Sequence, residues 1–328
     1  MKSSRNCRRL LPTRDYHLAA TLDSGQSFAW THVGDAWEGV IQQRWVRLQQ
    51  VPGGIEATVT WPEPTVAYGR ACLPPSANAD RHPCLVHTPG PAVRAGPAPP
   101  SADWSALTDY LQTEVELPAI LATFPPDPPL LEAARCCGGL RILRQDPWEC
   151  LASFLLSATK QIVQIRQVVA NLCRRFGSPV TVPPDHPPAF AFPPAHTIAN
   201  TTESDLRQCR MGFRARHLHE AARRIVGGDL NLLALRTLPL EEARAQLLKL
   251  PGIGPKIADC VLLFSGDQPR AFPIDVWVAR ALRHYYFAGQ RVPAEELRRF
   301  AATHFGPWAG HAQQFLFHYA RQHVRLTD

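Results

Sequence analysis

Residues 245–281 read AQLLKLPGIGPKIADCVLLFSGDQPRAFPIDVWVARA, and this stretch decides the fold of the C-terminal half. Its apolar spacing predicts two helices joined by a hairpin over residues 245–265. The bend holds Gly252, Ile253 and Gly254. Glycine allows positive φ there, and N–H groups at the start of the second helix can face an anion. We therefore predict a phosphate-binding hairpin, the alternative being an ordinary tight turn.

Two residues beside the hairpin carry groups suited to chemistry on a sugar. Lys256 starts the second helix, and a neutral lysine amine can attack an anomeric carbon and form a Schiff base. Asp275 follows a proline-broken segment and precedes an apolar helix, which predicts an N-cap. A carboxylate in apolar surroundings also stabilises positive charge on a sugar when a glycosidic bond breaks. The alternatives are a solvated lysine and a cap with no further role.

The charge of the chain is concentrated in its C-terminal part. The 328 residues hold 35 Lys and Arg against 28 Asp and Glu, a formal net charge of +7. Residues 131–328 hold 25 basic and 16 acidic residues, so this part carries +9 and the rest is nearly neutral. Such an excess attracts polyanions, which makes nucleic acid the leading partner. A solvated basic surface without a partner is the alternative.

Composition and cysteine spacing exclude several classes of protein. Hydrophobic residues make up 45% of the chain, enough to fill the cores of about two domains. No apolar run approaches the roughly 18 residues of a membrane span, and the basic N-terminus lacks the apolar stretch of a signal peptide. The nine cysteines lack CxxC spacing, which argues against a disulfide scaffold, a zinc site or an iron–sulfur cluster. We expect an intracellular protein without a metal.

The chain changes character along its length. Extended segments with turn signals are predicted at Thr21–Trp30, Trp37–Ile41, Arg44–Gln49 and Ile55–Thr60. A Pro-rich, aperiodic stretch at residues 74–100 fits a loop or linker, and helical spacing follows it. We predict an α+β protein with an N-terminal antiparallel β domain over residues 1–130 and a helical domain over residues 131–328.

LPGIGPKIADCVLLF followed by PIDVWVARAL resembles the helix-hairpin-helix (HhH-GPD) DNA glycosylases, and more closely the 8-oxoguanine DNA glycosylase/AP lyase branch. Four further segments carry the resemblance in family order: DSGQSFAW (Asp23–Trp30), LRQDPWECLASFLLSATKQ (Leu143–Gln161), MGFRARHL (Met211–Leu218) and FGPWAGHAQQFLF (Phe305–Phe317). The resemblance implies a TBP-like antiparallel β domain followed by an all-α glycosylase domain. It also implies base excision from duplex DNA that contains an oxidised purine, with no cofactor, no membrane and no obligate protein partner.

The resemblance assigns roles to individual residues. Lys256 matches the nucleophile whose Schiff base leads to β-elimination, and Asp275 matches the aspartate that assists glycosidic cleavage. Gly25 matches the glycine whose carbonyl accepts the N7–H that 8-oxoguanine has and guanine lacks. The other matches to the base pocket are Cys260, Pro273, Gln313 and Phe317. The matches to DNA-binding positions are Gly252, Ile253, Gly254, Thr159, Lys160, Gln161, Phe213, Arg214 and Arg216.

Three positions depart from the family pattern. Thr159 stands where an asparagine is usual, and Gln164 stands where an arginine that reads the opposite cytosine is expected, so we expect a relaxed preference for cytosine. Trp277 replaces a histidine near Asp275. An alkylated-base glycosylase is one alternative, although such enzymes typically lack the hairpin lysine. A non-catalytic hairpin protein is another. We expect a monomer acting in the cytoplasm or nucleoid of a bacterium, or in the nucleus of a eukaryote.

Overall fold

The computed structural model describes residues 4–62, 104–157 and 161–323. The Pro-rich stretch at residues 74–100, together with Thr159 and Lys160, lies outside the described residues. Among the helices of the described ranges, none combines the length and the apolar character that a membrane span needs.

The N-terminal part forms a five-stranded antiparallel sheet in the order β1-β5-β4-β3-β2. Its strands are β1 Ser4–Pro12, β2 Trp30–Val33, β3 Ala36–Ile41, β4 Arg44–Val51 and β5 Gly54–Pro62. Helix α2, Ser105–Leu111, contributes buried Leu107 and Leu111 to the same core as Trp30 and Leu48. Trp30 Nε1 donates to the hydroxyl of buried Tyr110 at 3.0 Å, which satisfies both polar groups. The predicted antiparallel β domain is therefore confirmed.

The predicted strand at Thr21–Trp30 was wrong. Helix α1 spans Leu18–Asp23, and only Trp30 belongs to a strand. His17 starts the helix because its Nδ1 accepts a hydrogen bond from the Ala20 N–H at 3.0 Å. Leu18 and Leu22 lie one turn apart and are both buried, so packing overrides the β propensity of Thr21. Strand β1 was not predicted, because its sequence, SRNCRRLLP, is basic and does not alternate apolar with polar residues. It is an edge strand and pairs with β5 alone.

The C-terminal part is helical. Its helices are α3 Leu117–Leu121, α4 Pro128–Cys136, α5 Pro147–Ser157, α6 Ile162–Phe176, α7 Ala195–Ala199, α8 Glu203–Leu206, α9 Arg214–Val226, α10 Leu240–Leu248, α11 Pro255–Phe264, α12 Val276–Tyr286, α13 Ala294–His304 and α14 Ala309–His323. A π-helical turn lies at Arg207–Met211, and a two-residue ribbon pairs β6 Pro179–Val180 with β7 Ala189–Phe190. Leu117 and Leu130 of α3 and α4 pack in the helical core although they precede residue 131. The domain division at residue 130 remains a prediction.

A buried glutamine fixes the position of the loop after α1 against the helical part. Gln26 is fully buried, and its Nε2 donates to the Arg141 carbonyl at 2.8 Å. Its Oε1 accepts from the Leu143 N–H at 2.8 Å, and Gln145 Nε2 donates to the Gln26 carbonyl at 2.6 Å. Because these bonds use both ends of the amide, the neighbouring Gly25 has a defined place beside the helices.

Candidate active site

The hairpin between α10 and α11 has the predicted shape. Gly252 has φ +82°, and a Cβ added there would lie 2.4 Å from His217 Nδ1 of α9. Only glycine therefore fits without movement of the histidine. Ile253 is buried in the helical core and anchors the loop, while Gly254 is the N-cap of α11. The binding of a phosphate by this loop remains a prediction.

The first turn of α11 places Lys256 over an aromatic ring. Its Nζ donates a 3.4 Å hydrogen bond to Ser157 Oγ at the end of α5 and lies 5.1 Å from the centre of the Phe154 ring. Ser157 Oγ in turn donates to the Phe154 carbonyl at 2.6 Å. The amine is half-buried, also interacts with the Cys260 side chain, and forms no ion pair with a carboxylate among the described residues, so it can turn toward a substrate without breaking an ion pair.

Asp275 is the N-cap of α12, as the sequence predicts. Its Oδ1 accepts from the Val278 N–H at 2.8 Å. Burial raises the pKa of Asp275 above its ordinary value, while the Val278 N–H and the charges of Lys256 and Arg321 oppose the rise. A carboxylate in this position has two cations within electrostatic reach and little water around it. This is the environment that favours stabilisation of positive charge on a substrate.

Cys260 lies one turn after Lys256 and is buried. Burial raises the pKa of the Cys260 thiol to about 12, although Lys256 lowers it and Asp275 adds to the rise. The sulfur is therefore protonated and polarisable rather than a nucleophile at neutral pH. Lys256, Cys260 and Asp275 act on one another electrostatically, so the structure brings these three predicted residues together.

Gly25 and Phe317 are neighbours across the junction of the two parts. Gly25 has φ +78°, and a Cβ there would lie 3.5 Å from Phe317 Cε1 and 3.2 Å from Ile162 Cδ1. Gln314 Nε2 donates to the Ser24 carbonyl at 3.0 Å, which ties this loop to α14. The structure thus brings the Gly25 backbone of the N-terminal part next to an aromatic ring of the last helix.

Two adjacent glutamines of α14 differ in their hydrogen bonding. Gln313 is only 4% exposed, and its Oε1 has no hydrogen-bond partner among the described residues, whereas Gln314 is bonded to the loop at Ser24. A buried amide oxygen without a partner is costly, which makes Gln313 the candidate to receive a donor from a ligand. Pro273 is buried two residues before Asp275, as expected for a wall position.

The segment at the start of α9 presents an exposed aromatic ring. Phe213 is 62% exposed, and its ring packs edge-on against His217, the residue that contacts Gly252. Arg214 is only 5% exposed, and its guanidinium lies 4.7 Å from the centre of the Phe213 ring. Arg216 is exposed. Phe213 and Arg216 can therefore meet DNA directly, whereas Arg214 supports the ring from below.

The start of α6 accounts for a departure seen in the sequence. Gln161 is the N-cap, and its backbone N–H donates to Gln164 Oε1 at 3.2 Å, as in half of a capping box. Gln164 is therefore engaged in the helix start. Trp277 is 38% exposed on the first turn of α12, with the Arg280 guanidinium 5.8 Å from its ring.

Several residues at the site escaped sequence reasoning. Ile162 touches Gly25, His217 touches the hairpin, and Arg321 places its guanidinium 5.3 Å from the Phe317 ring centre. Arg321 follows Phe317 by four residues on one helix, so i,i+4 spacing could have found that pair. The other contacts join distant segments and left no local signal. In residues 4–62, 104–157 and 161–323, no three His, Cys, Asp or Glu side chains are grouped as a metal ion would require.

Both parts of the chain match known protein families. The family model for the N-terminal domain of 8-oxoguanine DNA glycosylase matches residues 9–151, and that of the HhH-GPD superfamily of base excision DNA repair proteins matches residues 152–307. The N-glycosylase/DNA lyase OGG1 of Arabidopsis thaliana is 31% identical over 315 residues, which cover 92% of this chain and 76% of the plant protein.

Two solved structures are similar over nearly their whole length. MBOgg1 in complex with a low-affinity DNA ligand has a TM-score of 0.77 at 29% identity, covering 96% of this chain and 95% of that one. The Clostridium acetobutylicum 8-oxoguanine glycosylase/lyase, bound to duplex DNA with cytosine opposite 8-oxoguanine, has a TM-score of 0.75 at 27% identity, covering 95% and 97%. This chain belongs to the 8-oxoguanine DNA glycosylase family, within the HhH-GPD superfamily.

Proposed function

We propose that this protein is a bifunctional glycosylase and AP lyase that excises 8-oxoguanine, and the ring-opened formamidopyrimidine of guanine, from duplex DNA. The observation that carries the proposal is the placement of Lys256 in the first turn of α11, with its Nζ 3.4 Å from Ser157 Oγ and one turn before buried Cys260, and of Asp275 as the N-cap of α12 within electrostatic reach of that amine. Membership of the 8-oxoguanine DNA glycosylase family supports it. No protein partner is needed, and the enzyme acts as a monomer inside the cell, in the nucleoid of a bacterium or the nucleus of a eukaryote.

Base recognition uses groups from both parts of the chain. The flipped base stacks between the Cys260 sulfur and the Phe317 ring, and the Gly25 carbonyl accepts its N7–H. Guanine has a lone pair at N7 instead, so it would face the carbonyl oxygen with a repulsive contact. The unpartnered Oε1 of Gln313 receives an N–H donor from the Watson–Crick edge of the base. The contact with Gln313 satisfies a buried oxygen that has no hydrogen-bond partner among the described residues.

The covalent step begins at Lys256. Its neutral amine attacks C1′ of the flipped nucleotide, and the N9–C1′ bond breaks with its electron pair moving to the base, which takes up a proton. The amine loses its proton as the C1′–O4′ bond opens, and this gives the Schiff base. Loss of a proton from C2′ then expels the 3′ phosphate and nicks the strand. Throughout, the ionised form of Asp275 opposes the positive charge that develops on the sugar.

The test is borohydride trapping on a duplex with one 8-oxoguanine. The sequence contains four lysines, Lys2, Lys160, Lys249 and Lys256, so every lysine can be assigned by substitution. We expect Lys256→Gln to abolish the covalent adduct and Lys249→Gln to leave it intact. Lys249 is the matched control, because its Nζ donates to Gln246 at the other end of the hairpin. An adduct that survives Lys256→Gln and disappears in Lys160→Gln would refute the assignment.

The same substrates test the choice of opposite base. Gln164 is engaged in the cap of α6, so we propose that it does not read the orphaned cytosine and that the preference for cytosine is relaxed. Single-turnover excision with each of the four bases opposite the lesion measures this. Rates within about 10-fold of one another, a spread of about 1.4 kcal/mol in the barrier, would agree with the proposal. Strong selectivity for cytosine would contradict it.

A further inference from the structure

A basic cleft lies beside the C-terminal half of α6, away from the residues described above. It measures about 620 Å³ and opens between α6 and the π-helical turn at residues 207–211. Its polar lining consists of three arginines and three carboxamides: Arg174, Arg175, Arg210, Gln167, Asn171 and Gln208. No acidic residue is among the described residues that line it.

The arginines of the cleft are not neutralised alike. Arg175 forms an ion pair with Asp205 at 3.1 Å, outside the lining. Arg174 and Arg210 are exposed, and no carboxylate pairs with either within the part of the chain that the structure describes. Arginines in the last turn of a helix interact favourably with the negative end of the helix dipole, and this alone would account for an arginine at position 174. The dipole of α6 does not account for Arg210, because Arg210 belongs to the π-helical turn at residues 207–211.

Arg210 is held in an unfavourable backbone conformation. It has φ +64° and ψ +26°, the left-handed region that a residue other than glycine adopts only at a cost. A glycine would relieve that cost, but it would remove a cation from the cleft. Arg210 also lies only three residues before Phe213, so the cleft is continuous along the chain with the exposed ring.

The geometry of α6 connects the cleft to the base pocket. Ile162, at the start of the helix, touches Gly25, and Arg174 lies about 18 Å farther along the axis at 1.5 Å per residue. That distance equals about five base pairs at 3.4 Å each. We take the duplex to run along α6 from the pocket, in which case its backbone passes the cleft about five base pairs from the lesion.

We propose that this cleft is a second phosphate-binding site, which holds the DNA backbone a few base pairs from the lesion and reads no sequence. The inference rests on the proposed function only in taking duplex DNA as the partner. Arginine and carboxamide side chains bind phosphate oxygens and sugars, and such contacts position a protein on a duplex without selecting bases. Loss of one contact should weaken binding to damaged and undamaged DNA equally.

The test measures duplex affinity by fluorescence anisotropy over a range of salt concentrations. The variants are Arg210→Gly, which removes the charge and relaxes the backbone, and Arg174→Gln. Each should lower affinity about 3-fold to 10-fold and reduce the slope of log K against log salt by about 0.9. Arg299→Gln on α13 is the control, and it should change neither quantity.

Each outcome has one interpretation. Arg210→Gly should unfold at the same temperature as the unaltered protein or at a higher one. If it unfolds at a lower temperature, its affinity is set aside and the affinity and salt slope of Arg174→Gln test the proposal. Unchanged slopes in both variants would overturn the proposal, as would a loss confined to the duplex with 8-oxoguanine. Excision by the unaltered protein is measured separately, so failure of the second site and failure of the glycosylase assignment are distinguishable.

Discussion

Substitution of Gly25 by alanine separates backbone strain from pocket chemistry. At φ +78° an alanine costs about 1 to 2 kcal/mol in the folded state. The added Cβ would lie 3.2 Å from Ile162 Cδ1, a methyl that can give way, and 3.5 Å from Phe317 Cε1, an ordinary contact. The protein should therefore fold, because a domain typically has about 5 to 15 kcal/mol of stability.

The effect on catalysis should be larger than the effect on stability. The methyl group takes up space beside Phe317 at the edge of the proposed base pocket, and it displaces Ile162 by a few tenths of an ångström. Loss of one discriminating hydrogen bond and its geometry amounts to about 1.5 to 3 kcal/mol, or about 10-fold to 150-fold in single-turnover excision of 8-oxoguanine. The assay follows release of the base with enzyme in excess, and urea denaturation gives the stability.

Gly34 provides the matched control. It has φ +63° in the turn between β2 and β3, and a Cβ there would have no atom within 4 Å. Gly34→Ala should therefore lose similar stability and keep full excision. If Gly25→Ala and Gly34→Ala excise 8-oxoguanine at the same rate, the place given to Gly25 in the pocket is wrong.

The remaining substitutions test Asp275, the buried His311 of α14 and the hairpin. Asp275→Asn keeps an oxygen that can accept from the Val278 N–H, so the free energy of unfolding should change by less than about 1 kcal/mol. Excision should fall at least about 100-fold. If the barrier to excision rises by no more than the free energy of unfolding falls, Asp275 is only a helix cap. Burial lowers the pKa of His311 to about 3, so its neutral form supports the fold above pH 6.5 and that support is lost as the pH falls toward 3. Between pH 7.5 and pH 5 the free energy of unfolding, measured by urea denaturation, should fall by about 2 kcal/mol because of His311. His311→Gln should remove this fall. If the fall is unchanged in the variant, other groups cause it. In Gly252→Ala the Cβ would lie 2.4 Å from His217 Nδ1, so we expect a loss of about 2 to 4 kcal/mol and weaker duplex binding. Adding His217→Ala should restore part of that stability, and no restoration would place the cost in the backbone alone.

Local patterns predicted what local physics determines. The hairpin, the cap at Asp275 and the helix after it follow from glycine, proline and apolar spacing within about 40 residues, and the structure has all three. The error at Thr21–Trp30 has the opposite cause. A short helix there depends on the cap at His17 and on burial of Leu18 and Leu22 against the sheet, which propensity does not register.

The residues of the candidate site could be predicted only from the resemblance to a known family, and not from local sequence patterns. Gly25 and Phe317 are almost 300 residues apart, and no spacing rule connects a loop after the first helix with a ring in the last one. The same holds for the contact of His217 with Gly252. The resemblance also matches Arg214 to a DNA-binding position; its side chain is 5% exposed and packs on the Phe213 ring, and its contact with DNA stays a prediction.

The position of Gly25 follows from buried hydrogen bonds rather than from its own loop. Gln26 holds Arg141 and Leu143 through both ends of its amide, and Gln314 holds the carbonyl of Ser24 from the last helix. Each such bond contributes about 1 kcal/mol, but a missing partner would leave a buried polar group at a larger cost. The loop is therefore fixed between the sheet and the helices before any base arrives. Because the carbonyl proposed to distinguish the lesion and the lysine proposed to attack the sugar belong to different parts of the chain, this junction sets the distance between the two.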